Sequence, residues 1–127
     1  MTGIPVGAAA ESTHVVEEHD TARSVGSGDV DALATPRLLA WLERVTCQAV
    51  DPHLPSTHTS VGTHVEISHL RASPIGVSVS CRAEVSDVDG SRVRLSVQAE
   101  STGRVIASGV VTRAIVDRAA FAARLEG

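Results

Sequence analysis

The sequence predicts an α+β domain in which a five-stranded antiparallel sheet wraps around one long central helix. The first observation is a stretch of apolar side chains at helical spacing, from Pro36 to about Val50. The second is a change to two-residue alternation after residue 60, which is typical of half-buried strands. The third is that short turns join these later segments, and short turns connect antiparallel neighbours.

One strand is expected before the helix and four after it. The segment Thr13–Ala22 is interpreted as the first strand, and the two glycines of "SVGSGD" mark a loop. Thr35 is expected to be the N-cap of the helix, with Pro36 at its first position, where a missing N–H costs nothing. The four later strands and a closing helical turn are expected in "SVGTHVEISHL", "VSVSCRAEV", "RVRLSVQAE", "VIASGVVTRAIV" and "RAAFAARL".

Composition limits the class of protein. A chain of 127 residues supports one core, so we expect a single domain over residues 1–127, of which residues 1–10 are expected to be flexible. A net charge of −4 and an aromatic content of 2% argue against a nucleic-acid partner. No apolar run approaches the roughly 20 residues of a membrane span, and no secretory signal is recognisable. We therefore expect a cytoplasmic protein without membrane contact.

A carboxylate lies inside the apolar run of the predicted helix. At 100° per residue, Arg37, Arg44 and Gln48 form the solvent-facing arc, and Glu43 falls roughly 120° from its centre, on the buried side. A buried carboxylate is costly unless it is paired or hydrogen-bonded. Two interpretations stay open, a charge placed in the core for chemistry and a side chain at the sheet edge whose tip reaches water.

A histidine on the strand after the helix is the second candidate. Alternation places His69 on the inner face, in a set with Val61, Thr63, Val65 and Ile67. A lone histidine there is more often a satisfied core residue than a catalyst. An inward histidine and a buried glutamate on two elements that pack together are a less common coincidence. Thr35 adds a hydroxyl at the helix start, where the helix dipole favours negative charge.

The remaining reactive side chains give weaker signals. Cys47 and Cys81 are expected to be free thiols, and Cys47 is interpreted as a small core residue more readily than as a nucleophile. The other five histidines lack metal-site spacing, so no metal is predicted. The segment "VGSGD" lacks the strand-to-helix pattern of a phosphate loop.

Four stretches together resemble a known family: "VGSGDV", "ATPRLLAWLE", "VGTHVEISHLRASPIG" and "GVVTRAIVDRAAF". The sequence is similar to hotdog-fold thioesterases, and among them to the fluoroacetyl-CoA thioesterase branch. The resemblance implies a hotdog fold, a homodimer or higher oligomer with the site at the subunit interface, and coenzyme A as part of the substrate, with no resident cofactor. It also implies a Thr/Glu/His triad at Thr35, Glu43 and His69.

The resemblance implies substrate-binding positions as well. Gly62 and Thr63 lie on the strand expected at the subunit interface, and Gly62 or the helix start is expected to supply backbone N–H groups for an oxyanion. Val30 and Leu33 form the wall before the helix. That region, "GDVDALATP", has no aromatic residue, so we expect a roomier acyl pocket than the fluoroacetyl enzymes enclose.

The function predicted is hydrolysis of a short or medium acyl thioester. Thr35 acts as nucleophile or positions water, Glu43 as general base or nucleophile, and His69 as proton shuttle. Two alternatives stay open: dehydration or hydration of an acyl thioester on the same fold, and a non-catalytic dimeric module that binds acyl-CoA.

Overall fold

The computed structural model describes residues 3–127 and contains one five-stranded sheet and one long helix. The elements run in the order β1 (Ala9–Val15), α1 (Ala22–Val25), α2 (Thr35–Val50), β2 (His58–His69), β3 (Ser78–Asp89), β4 (Arg92–Ser101), β5 (Arg104–Asp117) and α3 (Arg118–Glu126). The strand order is β1-β3-β4-β5-β2, with every neighbour antiparallel. The predicted α+β architecture is confirmed, with β1 and β2 at the two edges.

The core lies between α2 and the inner face of β3 and β4. Alternation from Ser78 to Val85 of β3 and along all of β4 places their apolar side chains inward, as the sequence predicted; a bulge at Ser86 interrupts the pattern of β3. The helix presents its buried side chains to this layer, namely Leu38, Leu42, Val45, Ala49 and Val50. Each of these is at most 2% exposed, so α2 is covered along its length and its position relative to the sheet is fixed.

The first strand differs from the predicted one. The segment Thr13–Ala22 is a strand only as far as Val15, and the rest forms a 3-10 turn at Glu18–Asp20 and the short helix α1. The carboxylate of Asp20 accepts from the backbone N–H of Glu17. A short polar side chain that bonds to its own backbone stops the strand there.

The N-terminal segment is also more ordered than the sequence indicated. Ile4 is 6% exposed in the core, and the backbone N–H of Gly7 donates to the carbonyl of Val85. Ala9 and Ala10 already pair with β3. The expected flexibility of residues 1–10 therefore does not match residues 4–10, and Met1 and Thr2 lie outside the described residues. Alanines carry little strand signal, so their pairing with β3 could not be predicted from the pattern.

A bulge divides β2. Gly62 pairs with Arg113 and His64 with Thr112, which leaves Thr63 as the extra residue. One inserted residue exchanges the two faces of a strand. The prediction that Val61 and Thr63 share the inner face with His69 is therefore wrong, because Ser60 and Gly62 hold the inward positions before the bulge.

The hairpin between β4 and β5 contains a strained residue. Thr102 has φ +52° and Gly103 has φ +78°, as a two-residue I′ turn requires at both central positions. A β-branched residue disfavours this conformation, whereas asparagine tolerates it.

We therefore predict that Thr102→Asn stabilises the protein by about 0.5–1 kcal/mol. The free energy of unfolding from urea titration measures the change. Thr13→Asn, on an extended strand, is the control and should lower stability. A loss of stability in Thr102→Asn would show that the turn is not strained as described.

Candidate active site

Thr35 and His69 meet at the start of α2. Thr35 is the first residue of the helix and Ala34 is its N-cap, with no side-chain cap hydrogen bond. The predicted N-cap role of Thr35 is therefore wrong. Its hydroxyl instead lies 2.7 Å from Nδ1 of His69, the last residue of β2. A hydroxyl that is not used as a helix cap is available for chemistry with the imidazole.

The hydrogen bonds of the preceding loop fix the position of Thr35. The backbone N–H of Ala34 donates to the carbonyl of Asp20, and that of Leu33 donates to the carbonyl of Ser73. Asp20 is 3% exposed and its carboxylate lies 3.2 Å from Nε of Arg37 on the first turn of α2. The helix start is thus held from two directions, by the turn before it and by the segment after β2.

Burial favours the neutral form of His69. Desolvation lowers the pKa of its imidazole, and the nearby backbone of Arg71 partly offsets this. Nε2 is buried and has no hydrogen-bond partner among residues 3–127. In the tautomer that accepts the Thr35 proton at Nδ1, Nε2 carries the ring hydrogen. In such a pair the neutral imidazole can accept the proton of the threonine hydroxyl near neutral pH.

Glu43 lies two turns further along α2 and faces the other half of β2. Its side chain is 40% exposed, so neither sequence interpretation describes it fully: it is on the sheet side, and its tip still reaches water. A Cβ built on Gly62 would lie 2.7 Å from Oε2 of Glu43. A larger residue at this point of β2 would force the carboxylate of Glu43 to move away from its present position.

The sequence analysis missed Arg113, the charged partner of Glu43. Arg113 is 6% exposed, and its Nη1 lies 3.9 Å from Oε2 of Glu43. Its guanidinium donates to Ser60 through Nε (2.8 Å to Oγ) and Nη2 (3.1 Å to the carbonyl), and to Oγ1 of Thr46 through Nη1 (3.3 Å). The sequence does contain a signal for this charge, because Arg113 is the one arginine at the inward positions of β5, which it shares with Val111 and Ile115.

A cavity of about 540 Å³ opens beside Glu43 and Arg113, and Cys47 also lines it. Burial raises the pKa of the Cys47 thiol, which keeps it protonated. A protonated thiol is a poor nucleophile. Glu43 is therefore the better candidate for chemistry in this cavity.

The other predicted positions are more dispersed. Thr63 is exposed at the bulge, and its hydroxyl donates to the carbonyl of Thr112 at 3.3 Å, away from Glu43 and His69. Val30 is 57% exposed, and Leu33 is 3% exposed in the core. Among residues 3–127 no group of three or more histidine, cysteine or acidic side chains could hold a metal ion, and no helix is long and apolar enough to cross a membrane.

The catalytic candidates form two groups within one chain. Thr35 and Glu43 are about 12 Å apart along the helix axis, and Gly62 and His69 are roughly 20 Å apart along β2. One group is the Thr35–His69 pair, and the other is Glu43 with Gly62 and Arg113. Both groups face β2, which has a neighbour on one side only.

A long helix wrapped by a five-stranded antiparallel sheet is the hotdog fold of thioesterases. A Thermus thermophilus thioesterase-superfamily protein has this fold, with a TM-score of 0.92 and 27% identity over 99% of this chain and 93% of that one. The model of the fluoroacetyl-CoA-specific thioesterase family matches residues 16–119, and the chain belongs to that family.

Two further relatives are fluoroacetyl-CoA thioesterases. That of Streptantibioticus cattleyicolor is 28% identical over 129 residues, which covers 97% of this chain and 93% of the relative. A crystal structure of a mutant of the fluoroacetyl-CoA-specific thioesterase FlK, in complex with fluoroacetate and CoA, matches with a TM-score of 0.84 and 28% identity. This match covers 92% of this chain and 98% of that one.

We predict that the His69 imidazole titrates below pH 6.5, because burial lowers its pKa. The folded state then binds this proton less readily than the unfolded state, so acidification lowers the free energy of unfolding through His69. Above the ordinary pKa of histidine this loss of stability is absent. Ring ¹H–¹⁵N spectra across pH 4–8, assigned with His69→Gln, measure the midpoint. A midpoint at or above 6.5 would contradict the burial argument.

Proposed function

We propose that the protein hydrolyses short or medium acyl-CoA thioesters with Thr35, Glu43 and His69. The observation that carries the proposal is the 2.7 Å contact between the Thr35 hydroxyl and the His69 imidazole, in a chain of the fluoroacetyl-CoA-specific thioesterase family. Coenzyme A enters as part of the substrate. The absence of a resident cofactor and the cytoplasmic location stay predictions from the sequence.

In this proposal Thr35 and His69 act as a unit. The imidazole accepts the hydroxyl proton at Nδ1, so that Thr35 attacks the thioester carbonyl or orients the water that does. The protonated imidazole then returns the proton to the leaving thiolate. The lowered pKa of His69 supports this role because it keeps the ring neutral, and so free to accept a proton, near pH 7.

Glu43 is the proposed general base for water, or a nucleophile in its own right. The guanidinium of Arg113 at 3.9 Å supplies a fixed positive charge beside it, and the cavity of about 540 Å³ leaves room for an acyl group and water. Backbone N–H groups at Gly62 or at the start of α2 are the proposed oxyanion donors, where the helix dipole adds positive potential.

A homodimer formed through β2 would bring the two groups of residues together. An edge strand with unpaired backbone groups is suited to pair with a second copy, and a two-fold axis makes that pairing antiparallel. The Glu43–Gly62 end of one β2 then lies toward the end that carries His69 of the partner subunit. We propose that each active site combines Glu43 from one subunit with Thr35 and His69 from the other.

We predict that Glu43→Gln keeps its fold and loses at least about a hundredfold in kcat, the usual contribution of a positioned general base. Thiol release from acetyl-CoA, followed with a thiol reagent, measures hydrolysis. Glu84→Gln, on the outer face of β3, is the matched control and should keep full activity.

Hydrolysis at the parent rate in Glu43→Gln would make Glu43 structural and remove the proposed mechanism. The same assay separates the two alternatives. A change in enoyl absorbance without thiol release would indicate hydratase chemistry, and ligand binding with neither signal would indicate a binding module.

A further prediction concerns the size of the acyl group that the protein accepts. The segment before α2 has no ring to enclose a small acyl chain, and one methylene in an apolar pocket changes kcat/KM by roughly 10- to 200-fold. We therefore expect graded hydrolysis of acetyl and somewhat longer or branched acyl-CoAs. The ratio of kcat/KM for fluoroacetyl-CoA to that for acetyl-CoA tests this expectation, and a ratio on the order of several thousand or more in favour of fluoroacetyl-CoA would contradict it.

A further inference from the structure

A second cleft lies at the end of the sheet that carries His69. Its volume is about 510 Å³. One wall is the segment that follows β2, from Leu70 to Pro74, and the other is the turn between β4 and β5, from Ser101 to Arg104. The backbone N–H groups of Leu70 and Arg71 both donate to the carbonyl of Ile106, which holds the two walls together.

The cleft carries two positive charges that no ion pair among the described residues neutralises. Arg71 and Arg104 line it, and no carboxylate does. Neither guanidinium has an ion pair or a side-chain hydrogen bond within residues 3–127. Arg92 and Arg94 also form no ion pair within the described residues, but the cleft that they line contains the carboxylates of Asp87 and Asp89. Two arginines that share a cleft lined by no carboxylate, in a chain of net charge −4, indicate a ligand that is an anion.

Hydroxyl groups and an apolar side chain complete the lining. Ser73 is 2% exposed, and its hydroxyl has no hydrogen-bond partner within the described residues, so a buried donor is left unused. Thr102 is held at positive φ on the opposite wall. Leu70 is 59% exposed and offers apolar contact beside the arginines. The hydroxyls of Thr102 and Ser101 already donate to backbone carbonyls, so the two guanidinium groups are the donors that suit the several acceptor oxygens of a phosphate group.

The distance to the catalytic pair fits one extended ligand. Arg71 follows His69 by two residues, about 7 Å of extended chain, and Arg104 precedes Ala107, the register partner of His69, by three residues, about 10 Å. The arginine side chains extend the reach further. In a CoA thioester, the flexible pantetheine arm separates the reacting carbonyl from the phosphates by a comparable span, and its apolar parts could lie along Leu70.

We propose that this cleft binds the phosphate groups at the nucleotide end of a CoA thioester whose carbonyl lies at Thr35 and His69. The proposal rests on the proposed function for its choice of ligand. The cleft anchors the part of the substrate that does not react, so it contributes to binding and leaves the chemical step unchanged.

The test compares Arg71→Gln/Arg104→Gln with Arg92→Gln/Arg94→Gln, a control pair of exposed arginines on the outer face of β4. Calorimetry measures the binding of adenosine 3′,5′-bisphosphate, the nucleotide end of coenzyme A, and of inorganic phosphate at equal ionic strength. Kinetics compare acetyl-CoA with acetyl-pantetheine, which has no phosphate. We expect the cleft variant to bind the bisphosphate at least tenfold more weakly, and to raise KM for acetyl-CoA tenfold without changing kcat or the rates with acetyl-pantetheine.

Equal bisphosphate binding by parent, cleft variant and control would overturn the proposal, as would an equal loss in both variants, which would indicate general charge alone. Inorganic phosphate that binds as tightly as the bisphosphate would also overturn it, because the cleft would then take a free anion. Bisphosphate binding that is lost only in the cleft variant, in a protein that releases no thiol from any acyl-CoA, would support the cleft and reject the hydrolytic function.

Discussion

The buried charge of Arg113 is the constraint on which the arrangement of helix and edge strand depends. A guanidinium stays protonated in a protein and is costly to bury unless its donors are satisfied. Arg113 of β5 meets this requirement by bonding to Ser60 of β2 and to Thr46 of α2. Three elements are therefore fixed at one point, and Glu43, one turn before Thr46 on α2, is held against Gly62 of β2 by the same contacts.

The second determinant is the bulge at Thr63. It allows both halves of β2 to direct residues toward the helix, with Ser60 and Gly62 before it and Val65, Ile67 and His69 after it. The strand thus serves two groups of residues near opposite ends of α2. Because β2 is also an edge of the sheet, a two-fold axis through it is a simple way for these groups to approach one another. The phosphate cleft proposed above lies just beyond the His69 end.

Much of the fold and part of the candidate site could be predicted from the sequence, in the segments where side-chain periodicity is simple. β4, and β3 as far as Val85, alternate strictly because one face is core and the other is water, and the turns between strands are marked by glycines at positive φ. The placement of Glu43 on the sheet side of α2 followed from helical geometry. The Thr35 and His69 positions followed from the family resemblance together with the inward register of His69.

The bulge in β2, the hydrogen bond of Thr35 and the role of Arg113 depend on tertiary contacts that no local sequence pattern encodes. The bulge reverses the register of β2 without a sequence signal, since any residue can be the extra one. Thr35 was assigned as an N-cap because its preference for that position is strong, and only the proximity of His69 shows where its hydroxyl bonds. Arg113 was overlooked because a mostly apolar strand reads as core, although a charge in such a strand requires partners.

The claim that each active site uses both subunits is tested most directly by complementation. The Thr35→Ala variant and the Glu43→Gln variant, each of which is expected to be inactive alone, are mixed, unfolded together and refolded. Random pairing makes half of the dimers mixed, and in each mixed dimer one site carries both substitutions while the other carries none. The account predicts recovery of about a quarter of the parent activity. If Thr35, Glu43 and His69 of one chain served the same site, every site would stay defective and the mixture would remain as inactive as its components.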